Sequence, residues 1–169
     1  KLQEESRRAW QTSLTRARLA AGAAYENFTV ATGARFARNE VEVVLAGARA
    51  VCELGGGFML AGEQQVDNRL RVDHRAPECT SRQIYKGVLD DRAHGVFQGK
   101  TVVDRDAQKS DGNQLSRALL LSPDAVMDAK PELEIYADDV KCSHGATVGE
   151  LDGEQLFYLR ARGIDEATA

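Results

Sequence analysis

The chain has 169 residues, 43% of them apolar and 28% charged, with a net charge of −4 and a pI near 5.4. That length suits one domain with a real core and is too short for two ordinary ones. The charges are mixed in sign along the chain, so they leave no electrostatic footprint for nucleic acid or an anionic membrane, and no stretch nears the ~18 to 20 apolar residues that span a bilayer.

Residues 1–18 are polar, rich in arginine and free of glycine and proline, which predicts a helical or disordered lead-in. The chain opens without methionine and ends directly after helix-like sequence, so it is expected to be a piece of something longer. Over residues 19–149 the texture changes to short alternating or β-branched runs, among them "NFTVATG", "NEVEVVLAG", "GGFMLAG", "NRLRVDH", "GVFQGKTVVD" and "ELEIYAD", separated by Gly, Asp and Asn. These are strands and turns, too closely spaced for intervening crossover helices. Phe28 with Val30, and Val41 with Val43 and Leu45, alternate at period two and are expected to face inward.

Internal repetition points to an all-β solenoid. "TVATG", "VVLAG" and "FMLAG" end on Gly33, Gly47 and Gly62, and His94-Gly95-x-x-x-Gly99 recurs 50 residues later as His144-Gly145-x-x-x-Gly149. Two coils of about 25 residues would give that spacing and stack His94 and His144 in equivalent positions. Glycine suits the corners, where a positive φ or close backbone approach excludes a Cβ. Residues 150–169 read differently: Asp152 is a plausible N-cap, Leu156, Phe157 and Leu159 follow at helical spacing, Arg160 and Arg162 lie near the end, and Gly163 is the stop. This short C-terminal helix is expected to close the last coil and to begin a C-terminal helical region.

Cys52, Cys79 and Cys142 are odd in number and form no CxxC pair, which fits neither a disulfide framework nor a structural zinc site and suggests a reducing, cytoplasmic location. Cys52 in "AVCEL" reads as a small buried hydrophobe. In an extended segment Cys142 and His144 project to one face, so a thiolate and an imidazole can converge on one ion. Two protein ligands are too few for a closed iron-sulfur site, which takes four. His74 and His94 read as structural or loop hydrogen-bonders, and Asp138 and Asp139, as sequence neighbours on opposite faces, read as turn-formers and not as an acid–base pair. "GVFQGKT" has the wrong glycine spacing for a phosphate-binding loop.

"YKGVLDD", "GVFQGK", "DAQK" and "EIYADDVKCSHGATVG" occur together, and with the stretches around them the chain from about residue 25 to 165 resembles the core of the SufB/SufD family of iron-sulfur cluster assembly proteins. The resemblance implies a right-handed parallel β-helix flanked by helical regions. It also implies pairing with a SufB-like paralogue, binding of a SufC-like ATPase through the C-terminal helices, and a transient Fe-S cluster built at the paired interface. His144, in the matching "KCSHGAT" motif, takes the role of a histidine ligand by that resemblance; Cys142 is the weaker carry-over. By itself a strand histidine is more often structural than a ligand. Glu78 departs from the family pattern, standing where relatives often carry histidine. The exposed flank leads to the expectation that the isolated core can also form a homodimer. Two other readings stand beside this one: a purely architectural solenoid without a cluster ligand, and a β-helix polysaccharide lyase or hydrolase. The second is disfavoured because the single tryptophan, Trp10, lies outside the expected solenoid.

Overall fold

The computed structural model describes residues 1–165 and Thr168. Eleven strands precede one helix: β1 (Leu2–Gln3), β2 (Trp10–Leu19), β3 (Ala24–Ala31), β4 (Phe36–Leu45), β5 (Val51–Leu60), β6 (Gln65–His74), β7 (Thr80–Leu89), β8 (His94–Val103), β9 (Ser110–Leu120), β10 (Val126–Ile135), β11 (Val140–Glu150) and α1 (Gly153–Ala161). Every strand pair is parallel, and the strands alternate between two sheets. The odd strands form one six-stranded sheet, here sheet A, and the even strands β2 to β10 form a five-stranded sheet B. The architecture is a parallel β-helix of about five turns.

Strands β4 to β9 bury alternate residues against the opposite sheet, as in β4, where Ala37, Asn39, Val41, Val43 and Leu45 face in. The inner faces stack in ladders: Val43 lies over Val72 and Leu45 over His74. Phe97, Leu45 and Leu89 are among the largest fully buried side chains.

Four local expectations are corrected, three of them in the strands. The lead-in is neither helical nor disordered: Trp10–Leu19 is a full ten-residue strand paired along its length with β4. Its inward positions are Gln11, Ser13, Thr15, Ala17 and Leu19, mostly small or polar, so the period-two pattern is invisible on a hydrophobicity scale. Phe28 faces outward, 61% exposed, and Val30 shares its face; their inward neighbours are Asn27, Thr29 and Ala31. Third, His94 opens β8 in sheet B, whereas His144 lies within β11 in sheet A. Phe36 pairs with Gln65 and Gln65 with His94, steps of 29 residues, so 50 residues is not a whole number of coils. Two ten-residue strands and two corners need more chain than the repeat suggested.

The corners use left-handed backbone even without glycine. Arg49, Glu78 and Lys109 have φ of 59°, 61° and 60°, and each sends its N–H to the next coil, to Pro77 O, Gln108 O and Asp139 O. The gained hydrogen bond offsets the steric cost of a Cβ in that conformation. Asp152 caps α1 as expected, accepting from Glu154 N and Gln155 N, and Gly163 ends it at φ 88°. The helix buries none of its residues, so it does not close the last coil, and no described residue stacks on that end.

Candidate functional site at the open end of the solenoid

β11 pairs with β9 on one side only, which makes it the edge of sheet A. Cys142 lies in register with Gly112 and His144 with Gln114, so both side chains project to the inward face. In any earlier coil that face would be covered by the next turn. No described coil stacks beyond β11, so His144 is exposed and Cys142 only half-buried. The two ligand-type side chains expected to share a face do share it.

Their surroundings separate them. Cys142 packs with Val140 against Val103, Ala107 and Ala137. A Cβ at Gly112 would lie 3.3 Å from Cys142 Sγ and 3.6 Å from Ser81 Oγ, so that glycine makes room for the thiol. Burial pushes the Cys142 thiol up, away from thiolate at neutral pH. His144 makes no hydrogen bond to any described residue, which leaves both ring nitrogens open. Among the described residues no group of three or more His, Cys, Asp or Glu could hold a metal ion. The described residues offer at most this pair.

Beneath His144 the solenoid interior is polar. Gln83, Gln114 and His144 occupy one ladder, and Gln83 and Gln114 both hydrogen-bond the Thr101 hydroxyl, at 2.9 and 2.7 Å. Gln83 Oε1 is buried without a partner. Sequence patterning missed this column because an inward Gln on a strand reads as an outward one.

The remaining candidates have structural roles. His74 is fully buried between Ser110 Oγ (3.1 Å) and Ser81 Oγ (2.8 Å). Desolvation outweighs the nearby Asp111 and Asp73 and lowers its pKa to about 4. Because the folded pKa lies below the ordinary value, the unfolded chain takes up the proton first as pH falls. Stability held above pH ~6.5 should therefore decline toward pH ~4 by up to about 3 kcal/mol from this residue. Urea midpoints measured from pH 7 to 4 should fall less steeply in His74→Gln than in the parent, once each is referred to its own value at pH 7.

His94 pairs with Asp128 on the outer face of sheet B at 2.7 Å. Asp139 is a corner residue, its N–H donating to Gln108 Oε1 and its carbonyl accepting from Lys109. Glu78 sits at the corner before β7, 3.7 Å from Arg49, and is not among the residues lining the depression at His144. Cys52 and Cys79 are buried free thiols; burial raises Cys52 to about 12, and Cys79 donates to Gly47 O. No helix among the described residues is long and apolar enough to cross a membrane.

A parallel β-helix whose last described coil is uncovered, with an imidazole that hydrogen-bonds to no described residue beside a half-buried thiol, defines a scaffold-like class of protein, and the described residues alone do not complete a metal site. The chain belongs to the SufBD core domain family of the SUF system of FeS cluster assembly, which matches residues 1–169. It is 41% identical to the chloroplastic protein ABCI7 of Arabidopsis thaliana over 99% of this chain and 36% of that protein. It is also 41% identical to the iron-sulfur cluster assembly protein SufD of Escherichia coli, over 81% of this chain and 32% of that one. A SufBD family protein of Synechocystis sp. is 37% identical over 86% of this chain and 32% of its own. The chain thus spans about a third of the length of these relatives. The Arabidopsis relative is named as chloroplastic, so family membership does not fix a cytoplasmic location. The family is one of iron-sulfur cluster assembly proteins, which counts against the polysaccharide-cleaving alternative.

Proposed function

We propose that this chain is the SufD-like half of an interface at which a nascent Fe-S cluster is built with a SufB-like paralogue, while the region from α1 onward engages a SufC-like ATPase. The observation that carries the reading is the exposed His144 imidazole, without a hydrogen bond to any described residue, on the inward face of a coil with nothing described stacked on it. Clusters take four ligands, so a site to which the described residues bring at most two needs ligands from elsewhere, and a SufB-like partner is the proposed source. Iron and sulfide are cargo here, held transiently. Cys142 takes the smaller part, since its thiol is half-buried. The alternative is a purely architectural solenoid that contributes no cluster ligand. The test is anaerobic co-purification of the full-length protein with SufB-like and SufC-like partners, followed by assay of iron and acid-labile sulfide. A complex that forms but never retains either would leave the architectural reading in place.

The same edge makes self-association a further expectation. β10, the other terminal strand, carries Pro131 at its middle, which lacks an N–H and interrupts any added ladder. β11 has no proline and offers a continuous edge. The isolated core is expected to form a two-fold dimer through β11. Light scattering over a concentration series should show the mass doubling, and a strict monomer at high concentration would contradict a self-complementary edge.

A further inference from the structure

The two sheets present different outer faces. On sheet B many of the outward charges are paired: Arg16 with Glu42, Arg38 and Arg69 with Asp67, Arg71 with Asp73, Lys100 with Glu134. On sheet A one outward ladder runs Phe28, Gly55, Ile84, Leu115 and Gly145 along the solenoid axis. Phe28 and Ile84 are 61% and 45% exposed, and the Phe28 ring leans over the bare backbone of Gly55. A depression of about 820 Å³ spans Phe28 to Ile84, and a second of about 360 Å³ continues from Ile84 past Leu115 to Gly145.

The flanks of this trough carry like charges stacked on neighbouring strands. Glu26 is the cross-strand partner of Glu53 on one side, and Lys86 of Arg117 on the other. Like charges directly opposite one another are destabilising in a sheet. None of the four has an ion-pair or hydrogen-bond partner among the described residues. Glu53 also lies in register with Arg82, with no ion pair between them, so the two like-charged pairs border an apolar floor and leave room for a ligand of complementary charge.

We propose that this trough receives an amphipathic α-helix of a partner protein, lying along the solenoid axis with its apolar stripe on Phe28, Ile84 and Leu115. Basic residues on one flank of that helix meet Glu26 and Glu53, and acidic residues on its opposite flank, further along, meet Lys86 and Arg117. The dimensions agree. The two charged ladders lie four residues apart along the strands, roughly 13 Å, which accommodates a helix about 10–12 Å across. Over the described residues, four strand spacings from Phe28 to Gly145 make roughly 19 Å, or about 13 helical residues. An extended peptide fits less well, because the sheet's backbone groups are already paired in the ladders and the peptide's own would lie unpaired over an apolar floor. A second copy apposed about an axis along the solenoid would set Arg82 against Lys86 and Glu53 against Gly57, supplying no counter-charge. Helix α1, at nine residues, spans only about 14 Å.

The test uses the full-length protein and a fluorescein-labelled 14-residue helical peptide with leucines at positions i, i+3, i+4 and i+7. The peptide carries lysines on one flank of its first half and glutamates on the opposite flank of its second. Saturable binding is expected, weakened at least about tenfold by Ile84→Asp and by Glu26→Lys combined with Glu53→Lys. The double variant should regain binding to a peptide whose lysines are replaced by glutamates. Melting curves establish that each variant is folded. Absence of saturable binding, including through occupation of the trough by a helix of the same polypeptide, or binding indifferent to these substitutions, overturns the proposal.

Discussion

Replacing His144 by alanine is expected to leave the solenoid and its assembly with SufB-like and SufC-like partners intact while reducing the iron and sulfide retained by the complex to about a tenth or less. The scale is set by metal sites in which even a ligand's supporting partner changes affinity 10- to 100-fold, so a direct ligand should matter at least as much. The fold should barely respond: His144 is exposed and hydrogen-bonds to nothing described, and exposed substitutions of that kind usually lie within about 0.5 kcal/mol. Cys142→Ala is the internal comparison. Its thiol packs toward Val103, Ala107 and Ala137, so its loss should cost about 1 kcal/mol of stability and spare most of the cluster. If the His144 variant purifies as a complete complex with undiminished iron and sulfide, the ligand assignment is wrong and the chain is purely architectural.

Gly47→Ala is expected to destabilise the fold by about 3 kcal/mol, the upper end for overpacking, because the obstructing atoms are backbone. A Cβ there would collide with Ala20 C and Ala21 N of the neighbouring corner, where Gly47 N–H also donates to Leu19 O. Backbone on both sides can yield only if the two coils separate. Gly62→Ala makes the contrast: nothing lies within 4 Å of its Cβ position, but its φ is 67°. Its cost should be the left-handed penalty alone, about 1 kcal/mol. Thermal melts should separate the two, at roughly 2–4 °C per kcal/mol for a chain of this size. Equal shifts would mean that the corner at Gly47 relaxes freely and that stacking there is looser than the structure shows.

These glycines show how far the sequence carries. Their recurrence at the ends of apolar runs announced a repeating strand-and-corner architecture, and the all-β solenoid followed from it. The reason for each glycine did not, since steric closeness at Gly47 and backbone conformation at Gly62 leave the same letter in the sequence. The pairing of Cys142 with His144 was legible because strand periodicity alone puts alternate residues on one face. The capped C-terminal helix was legible because N-cap chemistry and a glycine stop are local.

Whatever depended on the partner of a strand had to wait for the tertiary structure. The period of the coil sets which residues stack, and corner lengths that vary from turn to turn hide it, so His94 and His144 looked equivalent and lie on different sheets. The same letters Phe28 and Val30 could face either way until the register with Gly55 and Gly57 was known. The first strand was concealed because Ser13 and Thr15 fill a narrow interior as well as valine would, while looking polar in a one-dimensional pattern. Exposure of His144 was likewise undecidable from its motif. An inward position is core in every coil but the last, and only the stacking shows that nothing described covers this one.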